Sequence, residues 1–398
     1  MDIKPGQLSI IELTEYEPQL FNEDEITYDA GVKLYENYKM QIDIEFPNYR
    51  TNNQWKLLAK GWVGYIPLTP NLHIRINSKV PIKNIFEMLD YVYELKSFRI
   101  LEGLMDCDSL EGFYNKLAYR LAQKILERCH KGLYRAYLPK TDQLANVRGK
   151  LDIRHTIEKP WIVKLKCHYE EHTADITENQ ILIYTLYIIS HSNLCSEQVS
   201  TTVRKAYHAL QSLVSLQPYK PEDCIGRMYN HLNEDYKMLH HICYLFLANT
   251  APSHKEGKNV TLPFLVNMHS LYELFLAEWL KVNLPPHLTL KSQEIIKKRK
   301  NLYFKIDLVL YEKSSLIPRY TLDTKYKTPN KPSPQDIAQV VTYAVSKNCQ
   351  ETVLIYPTQP TNSLDETFGN IRVRSLTFPL DQNLNTTGKT FLKQLLTS

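Results

Sequence analysis

The chain has 398 residues, enough for two or three domains, and a mild net charge of +5. Its 43% hydrophobic and 23% charged residues are typical of a globular protein, and no apolar run reaches the 18 residues of a membrane span. The N-terminus lacks the apolar stretch of a signal peptide, which predicts a cytoplasmic protein. Seven scattered cysteines without C-x-x-C spacing favour reduced thiols over zinc ligands or disulfides.

The first two thirds of the chain divide into a β-rich and a helical part. Short alternating runs at 41–46 and 72–76, followed by a helix over 82–95, predict a small β-rich domain over 1–97. Residues 98–255 are predicted to be mainly helical, with the clearest helices at 113–129, 178–190, 199–213 and 235–247, and a short strand pair around 135–137 and 149–154. The polar segment 250–259 predicts a linker into a third domain over 256–398.

The last third has the element order α-β-β-β-α-β. Asn267 or Ser270 can cap a first helix that ends before Pro285 and Pro286. Ser333 and Pro334 open a second helix that runs to about Lys347. Strands are predicted at 287–295, 302–311, 319–325, 352–356 and 371–376. The expected fold is therefore an α+β multidomain protein that ends in an α/β domain with a mixed sheet.

Two acids interrupt apolar strands in this domain. Asp307 lies in one strand and Asp323 in the next, and Lys325 follows Asp323 at i+2, so that it shares a face with Asp323 while Leu322 and Thr324 face away. Neighbouring antiparallel strands would bring the carboxylates close enough to share a Mg²⁺ ion, with Mn²⁺ as a substitute. The simpler interpretation is a set of surface charges, but a charge within an apolar run is costly to bury.

Helical residues extend this candidate site. Gln339 and Tyr343 lie four residues apart on one face of the second helix. Glu273, on the first helix, fits a capping box with Ser270.

A basic run precedes the first acid. It consists of Lys297, Lys298, Arg299 and Lys300. Two carboxylates on adjacent strands with a nearby lysine are what Mg²⁺-dependent phosphodiester cleavage needs. A basic run beside such a site would contact DNA phosphates without reading sequence, although it also suits a solvated turn between strands.

The element order and the Asp307…Asp323-x-Lys325 pattern resemble the core of the PD-(D/E)XK nuclease superfamily, and the pair Gln339 and Tyr343 resembles its RecB-like branch. In that superfamily an acid on the first helix often completes the metal site, so the resemblance makes Glu273 a candidate third acid and metal ligand, with Glu278 as the alternative. Further segments resemble the McrC family in order along the chain: 61–66, 72–80, 84–91, 132–137, 147–152 and 175–179. Two positions depart from that pattern, since Ser78 and Ile306 stand where a proline is expected. Neither position is a ligand.

The McrC resemblance implies a Mg²⁺-dependent DNA endonuclease subunit that works with a McrB-like AAA+ GTPase on double-stranded, including methylated, DNA. It implies that the N-terminal domain docks to that ring and stimulates its hydrolysis. The chain contains no G-x-x-x-x-G-K-[ST] loop, so nucleotide hydrolysis is expected to belong to the partner.

Two alternatives stay open at this point. One is a non-catalytic adaptor that activates an AAA+ ring, and the other is a partner-independent RecB-like repair nuclease. Deleting residues 1–95 is expected to separate the last of these, because a free-standing nuclease would still cut DNA.

Overall fold

The computed structural model describes residues 9–69, 71–93, 107, 109–159, 161–192, 194–250, 262–299, 302–327 and 331–397, without the side chains of 297–299, 302 and 303. Their contacts group the chain into two compact units, residues 1–113 with 263–398, and residues 114–262. The three-domain division drawn from the sequence stays a prediction, and the linker proposed at 250–259 falls almost wholly outside the described residues. No helix in these ranges is long and apolar enough to cross a membrane.

The N-terminal part of the first unit contains two small sheets and two helices. Its elements are β1 (Ser9–Thr14), β2 (Gln19–Phe21), α1 (Tyr28–Tyr38), β3 (Ile42–Glu45), β4 (Trp55–Ala59), β5 (Trp62–Pro67), β6 (Leu72–Asn77) and α2 (Ile82–Tyr93). Trp55, Leu57, Ile74 and Leu34 belong to one apolar core. The β-rich character predicted from the alternating runs is confirmed, whereas α1 was not predicted.

The second unit is largely helical, as predicted. Helix α3 (Leu110–Lys131) leads into it, followed by β7 (Ala136–Leu144), β8 (Lys150–Leu151), α4 (Ile153–Glu158), β9 (Leu165–Thr173), α5 (Thr177–His191), α6 (Glu197–Gln211) and α7 (Asp235–Ala248). The predicted pairing between the two short strands is wrong, because β7 and β8 both pair with β9 and the sheet order is β7-β9-β8. Strand β9 is rich in charged and polar residues, and the apolar pattern therefore did not reveal it.

The C-terminal part completes the first unit. It comprises β10 (Phe264–Asn267), α8 (Met268–Asn283), β11 (Leu288–Arg299), β12 (Leu302–Glu312), β13 (Pro318–Thr324), α9 (Pro334–Lys347), β14 (Glu351–Tyr356), β15 (Asp365–Phe368), β16 (Ile371–Thr377) and α10 (Leu384–Leu396). The predicted order of helices and strands is confirmed, and β10, β15 and α10 are additions to it.

A six-stranded mixed sheet organises this part, in the order β11-β12-β13-β14-β16-β15. The pairs β13–β14 and β14–β16 are parallel, while the other neighbours are antiparallel. Helix α9 packs on the parallel strands, where Val340 and Ala344 join a core with Leu354 and Val373. Aligned parallel strands place the carboxyl ends of β13, β14 and β16 at one edge of the sheet.

The N-terminal and C-terminal parts of the first unit are joined by backbone pairing. Strand β10 pairs antiparallel with β5, and thereby extends the sheet to β1-β6-β5-β10. In addition, Asn84 Nδ2 of α2 donates hydrogen bonds to the carbonyls of Leu380 (2.6 Å) and Gln382 (2.9 Å). Residues 9–93 and 264–397 therefore share one packed structure.

Candidate active site

Asp307 and Asp323 lie on adjacent antiparallel strands, as predicted. Leu308 of β12 pairs with Leu322 of β13, and the two acids stand one residue further toward the sheet edge. Residues directly opposite each other on an antiparallel pair project to the same face. Asp323 is 1% exposed, and Asp307 is half-buried. Asp307 of β12 thus lies beside Asp323, which is near the carboxyl end of β13.

Lys325 lies directly against Asp323. Its Nζ is 2.8 Å from Asp323 Oδ2 and donates to Gln339 Oε1 at 3.1 Å. The predicted projection of residues i and i+2 to the same side is therefore confirmed. A third group, Asp336 Oδ1, is 3.8 Å from the same ammonium. Lys325 is thus held by one residue of its own strand segment and two residues of α9.

Thr324 belongs to the site, and the prediction that it faces away is wrong. Both its backbone N–H (2.9 Å) and its hydroxyl (3.0 Å) donate to Asp307 Oδ2. A threonine hydroxyl is attached to Cβ, so it can reach the acceptor that its own N–H binds. Because Thr324 is the last residue of β13, the strand alternation no longer dictates where its side chain goes. Thr324 therefore fixes one oxygen of Asp307.

The charges at this site are unbalanced. Burial, and then the negative charge of Asp307, raise the pKa of Asp323 to about 7, although Lys325 acts in the opposite direction. Burial by itself would lower the pKa of Lys325, but Asp323, Asp336 and Asp307 outweigh it and raise that pKa. Lys325 is therefore a cation, held beside acids that repel each other.

Helix α9 begins as predicted and positions its residues by capping. Ser333 Oγ accepts from the Asp336 N–H at 3.1 Å, and Pro334 follows at the first helical position. One turn later, Gln339 Nε2 donates to the Tyr343 hydroxyl at 2.6 Å, so the predicted pair lies at the site. Asp336 was not predicted, although it stands three residues before Gln339 and therefore on the same helix face.

Glu273 lies closer to the acids than Glu278 does. Burial, followed by the charge of Asp307, raises the pKa of Glu273, and its Oε1 accepts from Gln293 Nε2 at 3.2 Å. Glu278 instead pairs with Lys281 at 2.7 Å on the surface. Asn267 caps α8 by accepting from the Ser270 N–H, and no described hydrogen bond joins Glu273 to Ser270, so the capping-box interpretation is not supported.

The basic run falls at the edge of what the structure describes. The backbone of Lys297, Lys298 and Arg299 belongs to β11, and Arg299 pairs with Leu302 across the turn. The side chains of these three residues, and all of Lys300, lie outside the described residues. The role assigned to this run in DNA contact therefore stays a prediction.

The donor chemistry of the site fits a hard divalent cation. Within the described ranges, no group of three or more His, Cys, Asp or Glu side chains is arranged to hold a metal ion. Mg²⁺ does not require such a group, because it commonly binds through one or two carboxylates and keeps several waters. Asp307 and Asp323 supply two carboxylates on neighbouring strands, and a cation between them would relieve their repulsion.

Histidine and cysteine side chains elsewhere in the described residues contact other protein groups or are free thiols. His240 is fully buried, and its ring nitrogens contact the Tyr229 hydroxyl (2.8 Å) and the Glu178 carbonyl (3.0 Å). His168 contacts Thr141 Oγ1 at 2.8 Å. All seven cysteines are free thiols.

Comparisons with known proteins identify a family and a curated relative that match much of the chain. A family model described as "McrBC 5-methylcytosine restriction system component" matches residues 57–357. The type IV methyl-directed restriction enzyme EcoKMcrBC of Escherichia coli K12 is 22% identical over 223 residues, which cover 54% of this chain and 62% of that protein. The chain therefore spans about three fifths of this curated relative.

A solved structure has the same fold. It is a half-complex from a tetradecameric assembly of Thermococcus gammatolerans McrB AAA+ hexamers with bound McrC. The matching chain has a TM-score of 0.60 and 19% identity, and the alignment covers 97% of this chain and 99% of that one.

Proposed function

Because the chain belongs to the family of McrBC 5-methylcytosine restriction system components, we propose that it is the Mg²⁺-dependent endonuclease subunit of such a system. Its substrate is double-stranded DNA, and its partner is a McrB-like AAA+ GTPase ring whose hydrolysis it stimulates. The reaction is hydrolysis of a phosphodiester bond of the DNA, and Asp307, Asp323 and Lys325 form the active site.

One observation carries this proposal. Asp323 is 1% exposed and lies 2.8 Å from Lys325, and its pKa is raised by burial and by the charge of Asp307. A buried acid beside a second acid destabilises the fold unless a cation compensates the pair, and such pairs are found preferentially at functional sites. A carboxylate pair with an adjacent ammonium is the set of groups that metal-assisted phosphodiester hydrolysis requires.

Each residue of the site has a distinct task in this proposal. Asp307 and Asp323 would hold a Mg²⁺ ion, with Glu273 as a third acid. When bound, the metal polarises the scissile phosphate and lowers the pKa of a coordinated water. Lys325 would stabilise negative charge on the phosphate, because its ammonium lies beside Asp323, where the metal and the phosphate would be bound. Gln339 holds Lys325, and Tyr343 in turn holds Gln339.

We assign the C-terminal domain to the PD-(D/E)XK type. The support is the order α8-β11-β12-β13-α9-β14, the mixed sheet, and the position of the acids on its central strands. The helix pair Gln339 and Tyr343 adds to it, since both side chains reach the lysine of the D-x-K segment directly or through one hydrogen bond.

The partner assignment rests on family membership and on the fold shared with a chain of an assembly of McrB AAA+ hexamers with bound McrC. This chain itself has no phosphate-binding loop of the G-x-x-x-x-G-K-[ST] type. Nucleotide hydrolysis is therefore assigned to the partner.

The basic run supplies the non-specific part of DNA binding in this proposal. Changing Lys297, Lys298, Arg299 and Lys300 to glutamate should weaken binding to all DNA sequences alike and flatten its salt dependence. Titration of labelled duplexes at several salt concentrations measures both effects. Binding that is unchanged by the charge reversal would remove the run from the DNA interface.

The proposal as a whole is tested by plasmid cleavage. The full chain is combined with its McrB-like partner NTPase, Mg²⁺ and GTP or ATP, on methylated and unmethylated plasmid. Wild type should cut, and Asp323→Asn and Lys325→Ala should each reduce the rate at least about 100-fold. Lys313→Ala, at an exposed position outside the site, serves as the matched control and should cut normally.

Other outcomes of this experiment are equally informative. Equal cutting by all four proteins would remove Asp323 and Lys325 from the mechanism. No cutting, with hydrolysis by the partner still stimulated, would identify the chain as a non-catalytic activator.

A further inference from the structure

The end of β1 reaches the candidate active site from the N-terminal part of the chain. Glu15, directly after β1, is 1% exposed. Its Oε1 accepts three hydrogen bonds, from the Tyr326 hydroxyl (2.7 Å), the Lys79 N–H (2.9 Å) and the Ser78 hydroxyl (3.1 Å). These three hydrogen bonds offset part of the cost of burying the carboxylate, while its Oε2 is buried without a hydrogen-bond partner. One of those donors is the neighbour of Lys325 in the sequence.

The next residue, Tyr16, makes the second connection. Its hydroxyl donates to the Tyr326 carbonyl at 3.3 Å and lies 2.5 Å from His269 Nε2. The backbone of Tyr16 has φ of +58°, in the left-handed region that a residue with a large side chain rarely adopts. Gly61 provides the space for this contact, because a Cβ there would lie 2.4 Å from the Tyr16 hydroxyl.

Tyr326 matters because Lys325 lies beyond the end of β13. The strand ends at Thr324, and the Lys325 N–H makes one further bond to the Ile355 carbonyl at 2.9 Å. After that bond the sheet no longer fixes the chain. Tyr326 is 5% exposed, and its hydroxyl and carbonyl are held by Glu15 and Tyr16. These two contacts set the path of the peptide that carries the Lys325 side chain.

His269 extends the same support to the helix that carries the third acid. It lies in the first turn of α8, four residues before Glu273 and therefore on the same helix face. Its ring also packs against that of Tyr326, with the centroids 5.6 Å apart. Tyr16 thus contacts the two segments that carry Lys325 and Glu273.

We propose that Glu15 and Tyr16 are positioning residues of the nuclease site, which hold the Lys325–Tyr326 segment and the start of α8 in register. This inference rests on the proposed function and deepens it. The N-terminal part, for which the McrC resemblance implies a docking role, is then also a structural component of the active site.

Deletion of residues 1–95 cannot distinguish a partner-dependent nuclease from a free-standing one if Glu15 and Tyr16 position the site. That deletion removes Glu15 and Tyr16 and also β5, the pairing partner of β10. It would abolish cutting whether or not the nuclease depends on a partner, and single-residue variants are therefore needed.

The test uses the full chain with its partner NTPase and compares wild type with Tyr326→Phe and Tyr16→Phe. Each variant keeps its ring and loses one hydroxyl. We expect the kcat of DNA cleavage to fall at least tenfold while KM for DNA stays within twofold, since DNA contacts are untouched. Tyr49→Phe, at a tyrosine that is 96% exposed, is the matched control and should behave as wild type. Wild-type kcat in both site variants would overturn the proposal.

A second measurement does not depend on cleavage. Hydrogen exchange of the amides of 324–327 should be at least tenfold faster in Tyr326→Phe than in wild type, because the segment has lost its anchor to Glu15. Unchanged exchange there would overturn the positioning role. If wild type does not cut DNA but the exchange difference is present, the proposed function fails and the positioning role stands. If wild type and both variants cut equally, the positioning role fails and the function stands.

Discussion

The six-stranded sheet carries two buried groups of charges that differ in how they are compensated. Arg374 of β16 is 6% exposed, forms an ion pair with Glu351 of β14, and donates to the carbonyls of Gln394 (3.0 Å), Leu395 (3.0 Å) and Thr397 (3.2 Å). These carbonyls belong to the end of α10, where a cation is also favoured by the helix dipole. Every charge in this group has an opposite charge or a dipole beside it.

The carboxyl end of β13 differs, because two acids on neighbouring strands face one another. Lys325 pairs with Asp323, yet the pKa of Asp323 is still raised to about 7 by burial and by Asp307. The first group stabilises the fold, whereas the second retains a repulsion that packing does not require. Within one sheet, the uncompensated group is the one that marks the site.

The largest effect expected from this comparison is on stability. Arg374→Met should lower the free energy of unfolding by about 3–5 kcal/mol, because it leaves the largely buried Glu351 side chain without its ion-pair partner and three carbonyls without their donor. Arg372→Met is the matched control, since Arg372 pairs with Asp365 on the surface and its loss should cost at most about 1 kcal/mol. Urea unfolding measures both variants. Equal, small losses would show that the Arg374 group is not structural.

The second largest effect is expected at His240, a buried histidine with a shifted pKa that lies outside the candidate active site. Burial lowers the pKa of His240 from 6.5 to about 4, while both ring nitrogens have partners. Above pH 6.5 the ring is neutral in the folded and unfolded chain alike, so it contributes no pH dependence. As pH falls from 6.5 to 4, the unfolded chain takes up a proton that the folded chain excludes. The free energy of unfolding should therefore fall by up to about 3 kcal/mol.

His240→Gln isolates this contribution. The variant should have a flatter profile of unfolding free energy between pH 4 and 6.5, and DNA cleavage at pH 8 should stay unchanged. His231→Gln, at an exposed position, should keep the wild-type profile. Loss of cleavage in His240→Gln would break the comparison, since a compensated histidine would then have a role in function.

The smallest expected effect distinguishes the two candidate third acids. Glu273→Gln should reduce cleavage about 10- to 100-fold, equivalent to about 1.4–2.7 kcal/mol, because Glu273 lies where the charge of Asp307 affects it. Glu278→Gln loses an exposed pair with Lys281 and should cut like wild type. The reverse result in plasmid cleavage would assign the role to Glu278.

Local sequence patterns predicted the elements of the C-terminal part well. Ser333 and Pro334 specify the start of α9 through short-range chemistry, and the apolar runs around Asp307 and Asp323 specify β12 and β13. The same patterns placed Gln339 and Tyr343 on one face of α9, and the resemblance to RecB-like nucleases assigned the pair to the site, where Gln339 contacts Lys325. These residues lie within 40 positions of each other, so local patterns were enough to place the elements that carry them.

Contacts between distant segments were beyond that reach. Glu15 and Tyr326 form a hydrogen bond although they are 311 positions apart in the sequence. The sequence around neither residue contains a pattern that predicts this contact. From the sequence, Arg374 is expected to be an exposed strand residue. It is buried because α10, which was not predicted, places its last carbonyls beside the guanidinium. The side-chain direction of Thr324 was predicted wrongly because the rule of alternating faces was applied to the last residue of the strand, where it no longer holds.

The most direct test of the account is thermal unfolding of the full chain at pH 8, with EDTA and then with Mg²⁺ alone. Mg²⁺ should raise the Tm of wild type, because it binds Asp307 and Asp323 only in the folded chain. It should leave the Tm of Asp323→Asn unchanged. In EDTA, Asp323→Asn should melt above wild type, since a buried carboxylate with a raised pKa destabilises the fold at that pH. Asp365→Asn, at a surface pair, is the control. A wild-type Tm that does not respond to Mg²⁺, or an equal rise in Asp323→Asn, would contradict the account.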